Sequence, residues 1–112
     1  MKPTTTNKRL AKKGFIYLLK SPHREEDFHS WKFGCSDDPK IRLKSINSTN
    51  SFREKFSLIA HFPVKDKFLS EKLFKYFIWD SFDCICQGEF FGSRLEDRVL
   101  INKLEEIANA SK

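Results

Sequence analysis

Apolar residues recur along this chain with two different periods. "GFIYLLK", residues 14 to 20, is a dense β-branched and aromatic run after a glycine, and it predicts a strand. "SPHREEDF" follows as a polar turn, and "HSWKFGC" predicts a second strand, so the two form a loose antiparallel hairpin. Gly34, at the end of the second run, marks a bend or a close backbone approach. "SDDPKIRLKSIN" carries a helix start: Asp37 or Asp38 accepts the orphan amides and Pro39 suits the first helical position. Ile41 and Ile46 are expected to face inward from that helix, with Leu43 at the margin. Residues 52 to 64 alternate partly and predict a third strand closed by Pro63.

The strongest helical period lies in "DKFLSEKLFKYFIWD", residues 66 to 80, where Leu69, Leu73, Phe74, Phe77 and Ile78 form a broad apolar face. "CQGEFFGS" reads as a turn and a short extended piece. A last helix runs through "SRLEDRVLINKLEEIANA", with Leu95, Val99, Leu100, Leu104 and Ile107 on one stripe and Ser93 with Glu96 as a capping box. The expected fold is α+β: a small three-stranded antiparallel sheet flanked by helices. Its core is expected to be largely aromatic, since 12 residues are Phe. One domain over residues 14–112 accounts for the whole pattern, preceded by residues 1–13 as a flexible basic arm.

Charge changes the picture in one place. The net charge is +6, yet the arm holds Lys2, Lys8, Arg9, Lys12 and Lys13 and no acid. That leaves 16 basic against 15 acidic side chains in the body. A basic arm on a nearly neutral domain suits contact with a polyanion, and a solvated terminus with no partner has the same composition. The three cysteines, Cys35, Cys84 and Cys86, are an odd count with no signal peptide, which points to an intracellular, reducing compartment. With His61 they raise the question of zinc, but their spacing fits no standard zinc motif, and buried free thiols are expected. No apolar run reaches membrane-spanning length, so no membrane partner is expected.

Four side chains stand in an order that invites chemistry: Tyr17 on the first strand, Lys32 on the second, Arg42 on the first helix and Glu71 on the second. An arginine fork matches phosphate oxygens at two points. A carboxylate can hold one hard divalent cation. A tyrosine can move a proton if its pKa is lowered, and the Lys32 ammonium either supplies such a shift or simply grips a phosphate. Each also has a plain structural reading. Tyr17 can simply pack its ring, and Glu71 with Lys75 has the i, i+4 spacing of a surface ion pair worth about 0.3–0.5 kcal/mol.

The segments "FIY" at 15–17, "KFGCS" at 32–36, "DPKIRL" at 38–43, "EKLFK" at 71–75 and "GEFF" at 88–91 together resemble the GIY-YIG nuclease superfamily. Within it they are most similar to the phage-T5-type DNA-binding branch, over residues 14 to about 107. The resemblance implies a catalytic set of Tyr17, Lys32, Arg42 and Glu71. It implies one weakly held Mg²⁺ or Mn²⁺ on Glu71 and hydrolysis of DNA phosphodiesters. Lys40 and Lys44 on the arginine's helix and Lys75 on the next are expected to contact nucleic acid, together with Lys8, Arg9, Lys12 and Lys13 of the arm. DNA is favoured over RNA. Lys32 replaces the second motif tyrosine, Lys75 stands where the branch has histidine, and the asparagine of many active members has no counterpart. These departures keep a second reading open: a catalytically degenerate module that binds DNA or RNA within a larger nucleoprotein assembly.

Overall fold

The computed structural model describes residues 12–25, 28–49, 55–81 and 84–110. Much of the expected basic arm, with Lys8 and Arg9, lies outside them. The described chain forms β1 (Gly14–Glu25), β2 (Phe28–Ser36), α1 (Pro39–Thr49), β3 (Ser57–Val64), α2 (Lys67–Asp80), β4 (Cys84–Gln87), β5 (Phe90–Ser93) and α3 (Asp97–Ala110).

The sheet has five strands, all antiparallel, in the order β3-β1-β2-β5-β4, which corrects the expectation of three. The fold remains α+β. The extra pair comes from residues 84–93, where two four-residue strands flank a two-residue turn. Gly88 opens that turn with φ +65°, a conformation that favours glycine and matches the twist of a hairpin. The first hairpin is also longer than expected. "SPHRE" continues β1 to Glu25 instead of turning, at the cost of a register irregularity between Lys20 and Arg24. Pro63 does not close β3. It sits within this edge strand, where a missing N–H is tolerated.

β1 lies between β2 and β3, and both of its faces are covered. This explains the unbroken apolar run of Ile16, Tyr17, Leu18 and Leu19, all buried. Ile16 and Leu18 join Trp31 and Phe33 of β2 in the core under α2 and α3. Aromatic rings dominate that core: Trp31 stacks on Phe91 with centroids 6.2 Å apart, and Phe33 meets Phe74 edge-on at 5.3 Å. By alternation Tyr17, Leu19, Lys32 and Gly34 belong to the opposite face, where α1 lies.

Local signals set the helix ends. Asp38 Oδ1 accepts from the Lys40 and Ile41 amides at 3.1 and 3.2 Å, with Pro39 as the first helical residue. Asp66 caps α2 by accepting from the Leu69 amide. Ser93, expected to cap α3, is instead the buried last residue of β5, and its hydroxyl accepts from the Leu95 amide at 2.9 Å. The helix therefore begins at Asp97. α1 is rotated relative to expectation: Ile41 is 67% exposed, while Leu43 and Ile46 are half-buried. Past its middle, the Asn47 amide grips the Phe56 backbone at both ends, donating to the carbonyl at 3.1 Å and accepting from the N–H at 2.9 Å. The three cysteines are free thiols, as expected, but they are half-buried at the margin of the core and not fully buried. No helix among the described residues is long and apolar enough to cross a membrane.

Candidate functional site

Tyr17 and Gly34 are direct register partners on β1 and β2. The missing side chain at Gly34 leaves the space that the Tyr17 phenol occupies. A Cβ there would lie 2.6 Å from Tyr17 Cζ and would collide with Oη. The ring is thereby laid across β2 and is 1% exposed. Arg42, reaching over from α1, hydrogen-bonds the phenol oxygen. The glycine and the arginine, eight residues apart in the chain, therefore both act on one tyrosine.

Burial pushes the Tyr17 pKa above its ordinary 10.0. The Arg42 hydrogen bond and charge pull the other way and do not prevail, while Glu89 and, last, Glu71 add to the rise. The expectation that a neighbouring ammonium would make Tyr17 acidic is thus corrected. The phenol is neutral at physiological pH, and the cation beside it is Arg42. A phenol held neutral in the fold and free to ionise once unfolded adds stability below pH 10, which is lost as pH rises through the folded value. In a Tyr76→Phe background the phenolate absorbance reports Tyr17 alone. Its midpoint should lie above 10, and Arg42→Ala should raise it further. A midpoint at or below 10 would contradict the pairing.

Lys32 has a different partner. It is 7% exposed, and its ammonium lies 2.7 Å from Glu89 Oε2 and 4.5 Å from the centre of the Phe90 ring. Glu89 sits in the β4–β5 turn, and its carbonyl also accepts from the Phe33 amide at 3.1 Å. The turn is thus fastened to β2 by backbone and side chain together. Glu89→Ala leaves the ammonium without its acid and should cost about 1–3 kcal/mol in urea unfolding. That is less than a fully buried pair would cost, because the carboxylate is 40% exposed. Unchanged stability would mean that the ammonium reaches water unaided.

Glu71 enters from α2, on the other side of the sheet's end. It hydrogen-bonds Cys35, the residue after Gly34. Burial first, and Glu71 second, push the Cys35 thiol up to about 12, so it stays protonated. Lys67, one turn before Glu71, bonds Asp37 at 2.6 Å and ties α2 to the start of α1. Its backbone amide donates to the Lys12 carbonyl at 2.8 Å.

The four expected residues do not form one contact network. Tyr17 and Arg42 touch, Lys32 is held by Glu89, and Glu71 acts on Tyr17 only through its charge. Lys12, Lys13, Lys40 and Lys44 are exposed, and the Lys75 ammonium stands 4.7 Å over the Trp79 ring. Two residues of the neighbourhood had been given no role. Glu89 was visible only as a letter of "GEFF", directly after the turn glycine. Cys35 was read only as a thiol.

The fold and site define an α+β domain whose centre is a phenol–guanidinium pair beside a lysine–glutamate pair. The chain belongs to the T5orf172 domain family, which matches residues 14–109. The family is a phage-T5-like, nuclease-associated and DNA-binding-like one, consistent with nucleic-acid processing. No curated protein and no solved structure matches the chain.

Proposed function

We propose that this chain is a GIY-YIG-type, divalent-metal-dependent endonuclease that hydrolyses DNA phosphodiesters at the Tyr17–Arg42 pair. The observation that supports it is that pair: a neutral phenol and a permanent cation paired with each other, beside a glycine that leaves room for the phenol. Arg42 would grip the phosphate and oppose its developing charge. Because Tyr17 receives its bond from the guanidinium, its own proton remains to be given to a phosphate oxygen or to the leaving oxygen. Lys32 is already neutralised by Glu89 and would contribute its charge to the phosphate only by leaving that carboxylate.

Among the described residues no group of three or more His, Cys, Asp or Glu is arranged to hold a metal ion. The ligand that the resemblance offers is the Glu71 carboxylate, a hard oxygen donor. One carboxylate with water and phosphate completing the shell suits Mg²⁺ or Mn²⁺ and not a thiolate-seeking metal. Such an ion, when bound, would act as a Lewis acid on the phosphate. The basic arm, with Lys40, Lys44 and Lys75, would supply sequence-independent contacts to the backbone.

A second reading is favoured by one observation: Lys32 is already engaged by Glu89, and Tyr17 is almost wholly buried. On that reading the domain binds DNA or RNA without cutting it, inside a larger assembly. Incubation with supercoiled plasmid and Mg²⁺ or Mn²⁺, beside Glu71→Ala, separates the two. Metal-dependent nicking that Glu71→Ala removes is the expected result. Binding without nicking supports the module, and neither binding nor nicking overturns both.

A further inference from the structure

We propose that two copies of this chain pair antiparallel through the outer face of α2, about a two-fold axis at Tyr76. The helix buries Phe74 and Ile78 against the sheet, yet its opposite face is also apolar. Phe68, Leu69, Leu73, Tyr76 and Trp79 are 45%, 45%, 42%, 48% and 51% exposed. An exposed apolar patch of this kind on a helix marks a contact surface.

The polar residues within the stripe identify the occupant. Lys72 stands four residues before Tyr76 and Asp80 four after, and both are exposed. Leu73 stands three before and Trp79 three after. Antiparallel pairing about Tyr76 brings Lys72 level with Asp80 of the second copy, and Leu73 level with its Trp79. The two-fold repeats both matches. A parallel pairing would set Lys72 on Lys72 and Asp80 on Asp80. The two bodies do not repel strongly, because the excess positive charge lies in residues 1–13. Lys72 and Lys75 lie 6.0 and 4.7 Å over the Tyr76 and Trp79 rings, an arrangement that nucleic-acid bases could also exploit. Leu69 and Leu73 offer nothing to base stacking, however, and Asp80 would repel phosphate. A helix of 14 residues is about 21 Å long, so the pair alone sits at the small end of stable interfaces. Association should therefore depend on concentration in the micromolar range.

Sedimentation equilibrium over a dilution series, with tryptophan emission recorded in parallel, tests this. Trp31 is fully buried and Trp79 half-exposed, so pairing should shift the emission to the blue as protein concentration rises. Lys72→Asp should weaken association by about tenfold, because two attractive contacts become two repulsions. Asp80→Lys should do the same, and the double exchange should restore wild-type association. Leu73→Glu should abolish it, with circular dichroism unchanged. Four results would overturn the proposal: a monomer at every concentration, a dimer indifferent to the charge exchange, an emission shift that needs single-stranded DNA instead of protein, or a shift produced by deleting residues 1–11, which would make the chain's own arm the cover.

Discussion

Gly34→Ala should cost the protein about 1–3 kcal/mol of stability and, on the nuclease reading, about 100-fold in cleavage rate. The new methyl would stand 2.6 Å from Tyr17 Cζ and 3.2 Å from Cε2, closer than real carbon contacts allow. β2 is held here by its pairing with β1 at Gly34 and by the Phe33 amide bonded to the Glu89 carbonyl. The phenol must therefore move, and it is packed at 1% exposure with Arg42 on its oxygen. Moving it separates the two groups that would act on the phosphate. A double-mutant cycle makes the cause testable. In a Tyr17→Ala background most of the Gly34→Ala penalty should disappear, since nothing remains to collide with. If the penalty persists there, the glycine is required for its backbone and not for the space it leaves.

The same contact shows why the site was partly legible in the sequence. A glycine within an apolar strand run is a weak signal for close approach, and its partner here is Tyr17, which the same resemblance singles out. Arg42 was legible through the resemblance, which sets a helical arginine eight residues after Gly34, and Asp38 and Pro39 place it on α1. Glu89 was not. Its link to Lys32 joins residues 57 apart in the chain, and only the β4–β5 pairing brings them together. The expected route from Lys32 to an acidic Tyr17 failed for that reason. An ammonium already paired with a carboxylate offers little net field, and burial outweighs the arginine that is present.

Strand number failed on length. β4 and β5 have four residues each, too few for alternation to separate a strand from a turn. Their one usable signal was Gly88, which takes the first central position of a two-residue hairpin turn. The "SPHRE" segment failed oppositely: Pro22 and the following charges read as a loop, but the backbone continues β1 through them to Glu25. In α2 the apolar period was real but incomplete as a guide to burial. Phe74 and Ile78 face the core, whereas Leu69 and Leu73 face outward.

Phe74→Ala should therefore be far more damaging than any exposed apolar truncation, at about 3–5 kcal/mol. Phe74 is fully buried and meets three rings: Phe33 at 5.3 Å, Phe77 at 6.0 Å and Phe91 at 6.4 Å. Phe33 belongs to β2 and Phe91 to β5, so a single α2 side chain holds the central hairpin and the added hairpin to the same helix. Removing the ring opens a cavity lined by flat aromatic faces, which cannot close without moving whole strands. For a domain of this size the loss is a large part of the total stability, commonly about 5–15 kcal/mol. Urea unfolding should show a strongly lowered midpoint with an unchanged slope. Ile41→Ala supplies the contrast. Ile41 is 67% exposed on α1, so its truncation should stay within about 0.5 kcal/mol. The sequence pattern alone gives Ile41 an inward place as well, so the pair of variants measures the rotation of α1 directly. A loss at Ile41 approaching that at Phe74 would put Ile41 in the core and reverse the helix face assigned to Arg42.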